Sequence, residues 1–135
     1  MKDDCIFCKL ANGVFKTNSI YEDELFNVIL DVGPATKGHA LILPKEHYDN
    51  LFELPEDVAG KAMILAKKMG KNIADKMNAD GLNVVQNNGA VAGQTVMHYH
   101  LHIIPRYEND GQKILWEPTK PSDEELLEIC EKLKS

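Results

Sequence analysis

Three histidines at alternate positions, in the segment HYHLHIIP at 98–105, are the residues of this sequence best suited to chemistry. In a strand, His98, His100 and His102 would share one face, with backbone spacings of about 6.6–6.8 Å. A neutral imidazole is a nucleophile and a metal ligand, and its reference pKa of about 6.5 leaves a large neutral fraction at pH 7. The row is compatible with a catalytic zinc site, with nucleophilic catalysis, or with hydrogen-bonded histidines on a sheet surface.

A glycine-rich segment, NNGAVAGQTV at 87–96, comes directly before the histidines. The backbone N–H groups of Gly93, Gln94 and Thr95 could form a cradle for an anion, and the Thr95 hydroxyl adds a donor. Strict alternation would turn Thr95 toward the core, so this role requires the regular strand to begin after it. A plain hairpin loop is the alternative. The sequence has no GxxxxGK[ST] segment, which argues against an NTPase that grips a triphosphate.

Cys5 and Cys8 form a C-x-x-C pair near the start of the sequence. A redox pair of the thioredoxin kind would follow a strand, for which the preceding residues leave no room. The pair is therefore either two buried thiols or half of a metal site, for which His47 and His98 are available as further ligands. Cys130 is expected to pack within the final helix.

Hydrophobic periodicity predicts the elements that position these residues. A long helix over 56–78 has apolar residues at every third or fourth position, and Gly81 is expected to stop it. A second helix over 123–133 has Ser122 as its N-cap. Strands are predicted at 26–31, 39–43, 82–87 and 96–104. One long helix between strand pairs that can join as neighbours indicates an α+β domain on a largely antiparallel sheet.

The predicted strand 96–104 has a different chemistry on each face. The even positions present the three imidazoles, with Val96 and Ile104 at the ends. Chance readily places one histidine on such a face, whereas three in a row indicate a functional site. The odd positions are apolar and are expected to pack on the core: Met97, Tyr99, Leu101 and Ile103.

Composition limits the class of protein. With 44% hydrophobic and 27% charged residues, the chain resembles an ordinary globular protein with a single domain over 1–135. A net charge of −6 without a block of Lys or Arg argues against nucleic acid as a partner. No apolar run approaches the roughly 20 residues of a membrane span, and the acidic start MKDDC is unlike a signal peptide. We therefore expect a cytoplasmic protein without disulfides or membrane contact.

Residues 98–104, HYHLHII, resemble the signature of the histidine triad (HIT) family at every position. The resemblance extends through CIFCKL at 5–10, DVGPATKGHALILPKEH at 31–47 and QNNGAVAGQTV at 86–96. It points to the branch of small nucleoside phosphoramidases and related nucleotide hydrolases. It implies a HIT-like fold with a largely antiparallel five-stranded sheet, one long central helix and a C-terminal helix. It also implies a homodimer that pairs across a continuous sheet.

For the active site, the resemblance implies that His100 attacks the α-phosphorus of a purine nucleoside 5′-phosphoramidate or a related adenylate. A nucleotidyl-histidine forms, and water then hydrolyses it. His102 and Thr95, with the backbone at Gly93 and Gln94, would hold the nonbridging oxygens, which suits a reaction catalysed mainly by positioning and charge stabilisation. The alternatives are a dinucleoside polyphosphate hydrolase, a nucleotide-binding regulator with incidental turnover, and a zinc hydrolase with the triad as ligands.

The other site residues are also assigned by resemblance. Asp31 matches a carboxylate that accepts from both ribose hydroxyls; without the resemblance it would be a turn residue at a strand end. Residues that composition alone would place in the core match the base pocket: Ile6, Phe7, Leu10, Ile29 and Val32. His39 and Asn87 also fall at pocket positions. HIT proteins with an N-terminal CxxC imply a structural zinc with a closed tetrahedral ligand set: Cys5, Cys8, His47 and His98. Tyr107 and Trp116 are expected in packing or dimer contacts.

Overall fold

Five antiparallel strands form one sheet, in the order β1-β2-β3-β5-β4, in a computed structural model that describes residues 1–134. The strands are β1 (Ser19–Glu22), β2 (Phe26–Leu30), β3 (Ala40–Pro44), β4 (Gly81–Val85) and β5 (Leu101–Arg106). The helices of the described chain are α1 (Ile6–Ala11), α2 (Glu56–Lys76) and α3 (Asp123–Lys134). The predicted α+β fold, with its five-stranded sheet and long central helix, is confirmed.

Helix α2 covers the face of the sheet that holds the main core. Glu56 and Asp57 in its first turn and Lys76 in its last turn complement the helix dipole. The prediction that Gly81 stops this helix is wrong: α2 ends at Lys76, Asn78 turns the chain with φ of 53°, and Gly81 opens β4. The predicted apolar stripe is buried in the main core at four positions: Ala62, Leu65, Met69 and Ile73.

The opposite face of the sheet carries α1, a helix that the sequence did not predict. Cys5 caps α1, because its Sγ accepts from the Cys8 N–H at 3.3 Å. Strand β1 was also missed, since all four of its residues are exposed and show no alternation of burial. Helix α1 covers a second, smaller core that consists of Phe7, Leu10, Ala11, Ile29, Leu41 and Leu43.

The histidine strand starts later than predicted. Strand β5 begins at Leu101, and the preceding segment 96–100 is irregular, with the His98 N–H bent back to donate to the carbonyl of Val96 at 2.8 Å. Met97 lies in this irregular segment and is 45% exposed, so its assignment to the core is wrong. The other residues predicted for the core face are buried: Tyr99, Leu101 and Ile103.

The C-terminal part of the chain is exposed along its length. Every residue over 115–134 is exposed, including Trp116 at 83%. Helix α3 begins with a capping box, in which the Glu125 N–H donates to Ser122 Oγ at 3.2 Å and the Ser122 N–H donates to Glu125 Oε1 at 3.4 Å. The prediction that Cys130 packs is wrong, because this thiol is exposed. Among residues 1–134, no helix combines the length and the apolar character that crossing a membrane requires.

Candidate functional site

A cavity of about 540 Å³ lies on the α1 face of the sheet. Strand β5 and the segment before it contribute His100, His102 and Thr95 to its wall. A cavity of this volume suits a small-molecule ligand. The remaining wall comes from α1, the segment before β1, β2 with the two residues after it, and β3: Ile6, Phe7, Leu10, Lys16, Thr17, Asn18, Ile29, Leu30, Asp31, Val32 and Leu41.

His100 is buried and is oriented through its Nδ1 atom. Nδ1 lies 2.7 Å from the carbonyl oxygen of His98, so Nδ1 carries the ring proton and donates it. The ring of Phe7 packs edge-on against the imidazole, with 4.8 Å between the centroids. Nε2 is consequently unprotonated and has no hydrogen-bond partner among residues 1–134. An imidazole held in this way can act as a nucleophile in the cavity that it lines.

His102 is held by hydrogen bonds that start at the backbone of Ala35. The Ala35 N–H donates to Nδ1 of His39 at 2.9 Å, which leaves the proton of His39 on Nε2. This Nε2–H donates to Nδ1 of His102 at 3.0 Å, so His102 carries its own proton on Nε2. The two neighbouring triad rings, with centroids 4.9 Å apart, therefore have opposite roles: His100 presents a lone pair and His102 presents a donor.

Burial keeps these imidazoles neutral. Desolvation, together with the proximity of His100 and His39, lowers the pKa of His102 to about 4, and the charge of Asp31 opposes the effect. Desolvation also lowers the pKa of His100, against the opposing hydrogen bond to the His98 carbonyl and the charge of Asp31. Burial lowers the pKa of His39 in the same way. At pH 7 the neutral His100 imidazole would therefore need no base to remove a proton before it acts as a nucleophile.

The glycine-rich segment forms hydrogen bonds within itself. The Gly93 N–H donates to the carbonyl of Ala90 at 3.0 Å, and the Gln94 N–H donates to that of Gly89 at 3.1 Å. Neither residue is in the cavity wall, and the predicted contact of these amides with a substrate anion stays a prediction. Thr95 lines the cavity, and within residues 1–134 neither its N–H nor its hydroxyl has a hydrogen-bond partner. The regular strand begins after Thr95, as the predicted role of this residue requires.

The side chains of Gln94 and Asn87 shape the same loop. Gln94 is buried; its Oε1 accepts from the Gly89 N–H at 2.8 Å, and its Nε2 donates to two backbone carbonyls at 2.6 and 3.0 Å. At Gly93, φ is +101° and a Cβ would lie 3.2 Å from Nδ2 of Asn87, so this position favours glycine. Both side chains hold the loop that presents Thr95, and the substrate contacts predicted for Asn87 and for the Gln94 backbone stay predictions.

Asp31 follows β2 and lines the cavity. Its Oδ1 accepts from the Gly33 N–H at 2.8 Å, and its Oδ2 lies 3.6 Å from Nε2 of His39. Asp31 thus closes a turn and also presents a carboxylate to the cavity. His39 is absent from the cavity wall and supports His102 from behind. The apolar residues predicted for the base pocket all line the cavity: Ile6, Phe7, Leu10, Ile29 and Val32.

Five residues of the cavity wall were not predicted: Lys16, Thr17, Asn18, Leu30 and Leu41. Leu30 and Leu41 lie in predicted strands, and their side of the sheet could be assigned only once α1 was known to cover that face. Lys16, Thr17 and Asn18 precede the missed strand β1. No periodic pattern marks this polar segment, so local sequence carried no signal for it.

A second cluster joins α1 to the triad. The ligand atoms of Cys5, Cys8, His47 and His98 all lie within 4.8 Å of one another. Sγ of Cys8 is 3.3 Å from Nδ1 of His47 and 3.4 Å from Nδ1 of His98, and Sγ of Cys5 is 3.4 Å from the same His98 atom. Tetrahedral zinc, with Zn–S of about 2.3 Å and Zn–N of about 2.0–2.1 Å, places sulfur and nitrogen about 3.5 Å apart. The four residues therefore fit a zinc ion.

The outer ring nitrogens of both cluster histidines have acceptors. Nε2–H of His47 donates to the Asp49 carboxylate at 2.7 Å, and Nε2–H of His98 donates to the Pro44 carbonyl at 2.9 Å. Each Nδ1 is therefore unprotonated and faces the sulfurs, the arrangement that metal-bound histidines adopt. Burial lowers the pKa of His98 to about 4 and raises the pKa of the Cys8 thiol. A thiolate at this position therefore requires a cation beside it.

A sequence model of the HIT domain matches residues 12–109 of the chain. The chain belongs to the HIT family. The resemblance carried by the triad signature is thereby confirmed. A relative named adenosine 5′-monophosphoramidase, from Schizosaccharomyces pombe, is 38% identical to this HIT protein over 132 residues, which cover 97% of this chain and 96% of the relative.

Solved structures of HIT proteins share the fold along almost the whole chain. A HIT family protein of Bacillus subtilis has a TM-score of 0.90 and 38% identity, with 98% of this chain and 96% of that chain covered. A zinc-bound histidine triad family protein of Mycobacterium smegmatis has a TM-score of 0.77 and 33% identity, with 97% and 96% covered.

Proposed function

We propose that this HIT protein is a nucleotide hydrolase or transferase that acts on the α-phosphate of purine nucleoside 5′-phosphoramidates or related adenylates. The observation that carries the proposal is the pairing of two tautomers in one cavity: His100 with a free Nε2 lone pair, and His102 with an Nε2–H. Thr95 adds donors without partners in the described chain. The name of the Schizosaccharomyces pombe relative supports the same substrate class.

The reaction would proceed in two displacements at phosphorus. Nε2 of His100 attacks the α-phosphorus, a P–N bond to the histidine forms, and the bond to the leaving amine breaks as that amine takes a proton from water. His102 and Thr95 donate to the nonbridging oxygens as their charge redistributes, and Asp31 accepts from the ribose hydroxyls. Water then attacks the phosphorus and gives its proton to the hydroxide left by the first displacement, the P–N bond to His100 breaks, and the nucleoside monophosphate leaves.

We propose a structural zinc ion held by Cys5, Cys8, His47 and His98. Four protein ligands complete a tetrahedral shell, so no position remains for water or substrate. The ion would tie α1 to the segments that carry His47 and His98, and α1 forms part of the cavity wall. The zinc-bound relative from Mycobacterium smegmatis supports this proposal. Catalysis would remain with His100 and the groups around it.

We also propose that two copies pair as a homodimer through β4 and α2. Strand β4 is at the edge of the sheet, so its outer backbone groups can pair with another strand. Between β4 and α2 lies a groove of about 500 Å³, with exposed apolar side chains and with Lys67 and Lys71 in its wall. Antiparallel pairing of two β4 strands would continue the sheet and cover this groove. The exposed apolar residues of the groove are Met63, Ile64, Leu82 and Val84.

Helix α3 gives a second reason to expect a second copy. Its exposed residues Leu126, Ile129 and Leu133 lie at helical spacing on one side. Its first turn is acidic, with Asp123, Glu124 and Glu125, which complements the lysines of α2. A monomer would leave this apolar stripe in water, whereas a second copy can cover it.

The catalytic proposal is tested by incubating the chain with adenosine 5′-phosphoramidate and following the products by phosphorus NMR. We expect adenosine monophosphate, and a nucleotidyl adduct on His100 after rapid acid quench and mass mapping. The variant His100→Asn should lose about a thousandfold or more in turnover and keep its circular dichroism spectrum. Near-normal turnover by this variant would refute the nucleophile. Faster cleavage of a dinucleoside polyphosphate would favour that alternative, and tight nucleotide binding without turnover would favour a regulator.

A further inference from the structure

A row of paired residues crosses the sheet from the triad to the segment before β1. His102 pairs with Leu41, Leu41 pairs with Ile29, and Ile29 pairs with Ser19. Asn18 precedes Ser19, and its carbonyl accepts from the Leu30 N–H at 3.0 Å. Three strand spacings of about 4.8 Å place this segment about 14 Å from the triad strand. The cavity extends over the whole row, since residues from both of its ends line it.

A nucleotide in this cavity would follow the same row. The inference here rests on the proposed function, which places the α-phosphorus at His100 and the ribose at Asp31. Asp31 directly follows β2, so the base would extend beyond it toward β1 and contact the apolar residues of α1 and β2. Apolar contacts hold the faces of a base, and they do not distinguish the polar groups on its edge. Those groups would meet Lys16, Thr17 and Asn18.

The side chains of Lys16, Thr17 and Asn18 are free to bind a ligand. None of the three has a hydrogen bond or ion pair through its side chain within residues 1–134. Among the cavity-lining residues described by the structure, Lys16 is the only lysine or arginine. A lysine ammonium has three donors and no acceptor, the threonine hydroxyl has one donor, and the asparagine amide has two.

We propose that Lys16, with Thr17 and Asn18, recognises the edge of the base and makes the site prefer 6-oxopurine nucleotides over adenine nucleotides. A 6-oxopurine presents two adjacent acceptors, O6 and N7, and this is the edge that lysine contacts in base recognition. Adenine presents an amino group at the same position, which cannot accept from an ammonium. This preference would distinguish the chain from the relative that is named for adenosine.

Inosine and adenosine 5′-phosphoramidates test the preference, because the two bases differ at position 6 and in the protonation of N1. For the unmodified chain, we expect kcat/KM to be about five- to tenfold higher with the inosine compound than with the adenosine compound. This factor is at the lower end of the range for a good base contact, because Lys16 is exposed to solvent. Lys16→Met should bring the ratio close to one by slowing the inosine reaction. The control Lys61→Met removes an exposed lysine of α2, on the opposite face of the sheet, and should keep the original ratio.

Measurements of nucleotide binding distinguish a failure of this inference from a failure of the proposed function. Inosine and adenosine 5′-monophosphates are titrated calorimetrically into the unmodified chain and the Lys16→Met variant. Turnover with a base ratio that is below one, or that Lys16→Met does not change, would overturn the inference and leave the function standing. Preferential binding of the inosine nucleotide that depends on Lys16, without turnover of either phosphoramidate, would support the inference and refute the enzyme. Absence of binding by both nucleotides would refute both.

Discussion

The carbonyl oxygen of His98 accepts the Nδ1 proton of His100 at 2.7 Å, while the imidazole of His98 faces the sulfurs of Cys5 and Cys8 through its own Nδ1. One residue therefore borders both sites: its backbone orients His100, the proposed nucleophile, and its side chain belongs to the cluster that could hold a metal. The segment 96–100 is irregular, so sheet pairing does not fix this geometry. A metal bound at His98 can thus stabilise the position of His100 without contacting the substrate.

Removal of the proposed zinc should lower stability much more than it lowers the rate. Chelation should reduce Tm by about 10 °C, because the proposed ion would link α1 to His47 and His98, and the chain should retain turnover at low temperature. Differential scanning fluorimetry and kinetics with and without chelator check this. Cys8→Ser should reproduce the loss, whereas Cys130→Ser, at an exposed thiol outside the cluster, should not. Complete loss of turnover in a chain that is still folded would indicate a catalytic metal instead.

Loss of the His39 side chain should impair His102 without removing any residue of the cavity wall. His39→Ala removes the donor to Nδ1 of His102, so the ring can take the other tautomer and present a lone pair to the phosphate. We expect kcat to fall about ten- to a hundredfold, with a smaller change in KM, as for the loss of one charge-stabilising donor. His39→Gln keeps an amide donor and should recover part of the rate. Equal activity in all three proteins would contradict the assigned tautomers.

Side-chain alternation and residue spacing predict much of the site, because its central residues lie close together in the sequence. The strands around Val28 and Ile42, the stripe of α2 and the shared location of His100 and His102 all follow from side-chain periodicity. The condition placed on Thr95, that regular strand begins after it, also holds. Prediction fails where the backbone is irregular. Met97 points outward because β5 begins only at Leu101.

The other failures arise from contacts between distant segments. Lys16 and Asn18 reach the cavity only because β1 pairs with β2, so the strand order places them in line with the triad. This order is a long-range property of the sheet, and the exposed strand β1 has no alternation that would have indicated it.

Acid should destabilise the chain through His102. Its pKa is about 4 when folded, against 6.5 ordinarily, so between these values the unfolded state binds more protons. The free energy of unfolding therefore falls as the pH drops from 6.5 toward 4, and the contribution is fully present above 6.5. Because the ring is half-buried, we expect a contribution of about 1–2 kcal/mol, less than the full shift implies. Urea unfolding at pH 7 and pH 4.5 measures it.

The matched variant for this measurement is His102→Asn, which cannot titrate in that range. It should lose less stability than the unmodified chain between the two pH values. The groups Asp23, His39, His98 and His100 also have lowered pKa values, so they too contribute to the loss of stability in acid, but all four are present in both proteins. The difference between them therefore isolates His102. An equal loss in both proteins would show that this imidazole does not titrate on unfolding.

Disruption of the β4 edge should convert the proposed homodimer to monomers. Val84 is exposed on β4 beside the groove, and Val84→Lys would place a charge where the two sheets meet, close to Lys67 and Lys71 of the groove. Burial of an unpaired charge costs several kcal/mol, enough to shift dissociation by about a hundredfold or more. Light scattering coupled to size exclusion should give twice the mass of 15.1 kDa for the unmodified chain and the single mass for the variant.

The control variant Val14→Lys, at an exposed position on the opposite side of the sheet, should remain dimeric. A monomeric unmodified chain would refute the homodimer and leave the active site unaffected, because every group assigned to the chemistry belongs to one copy.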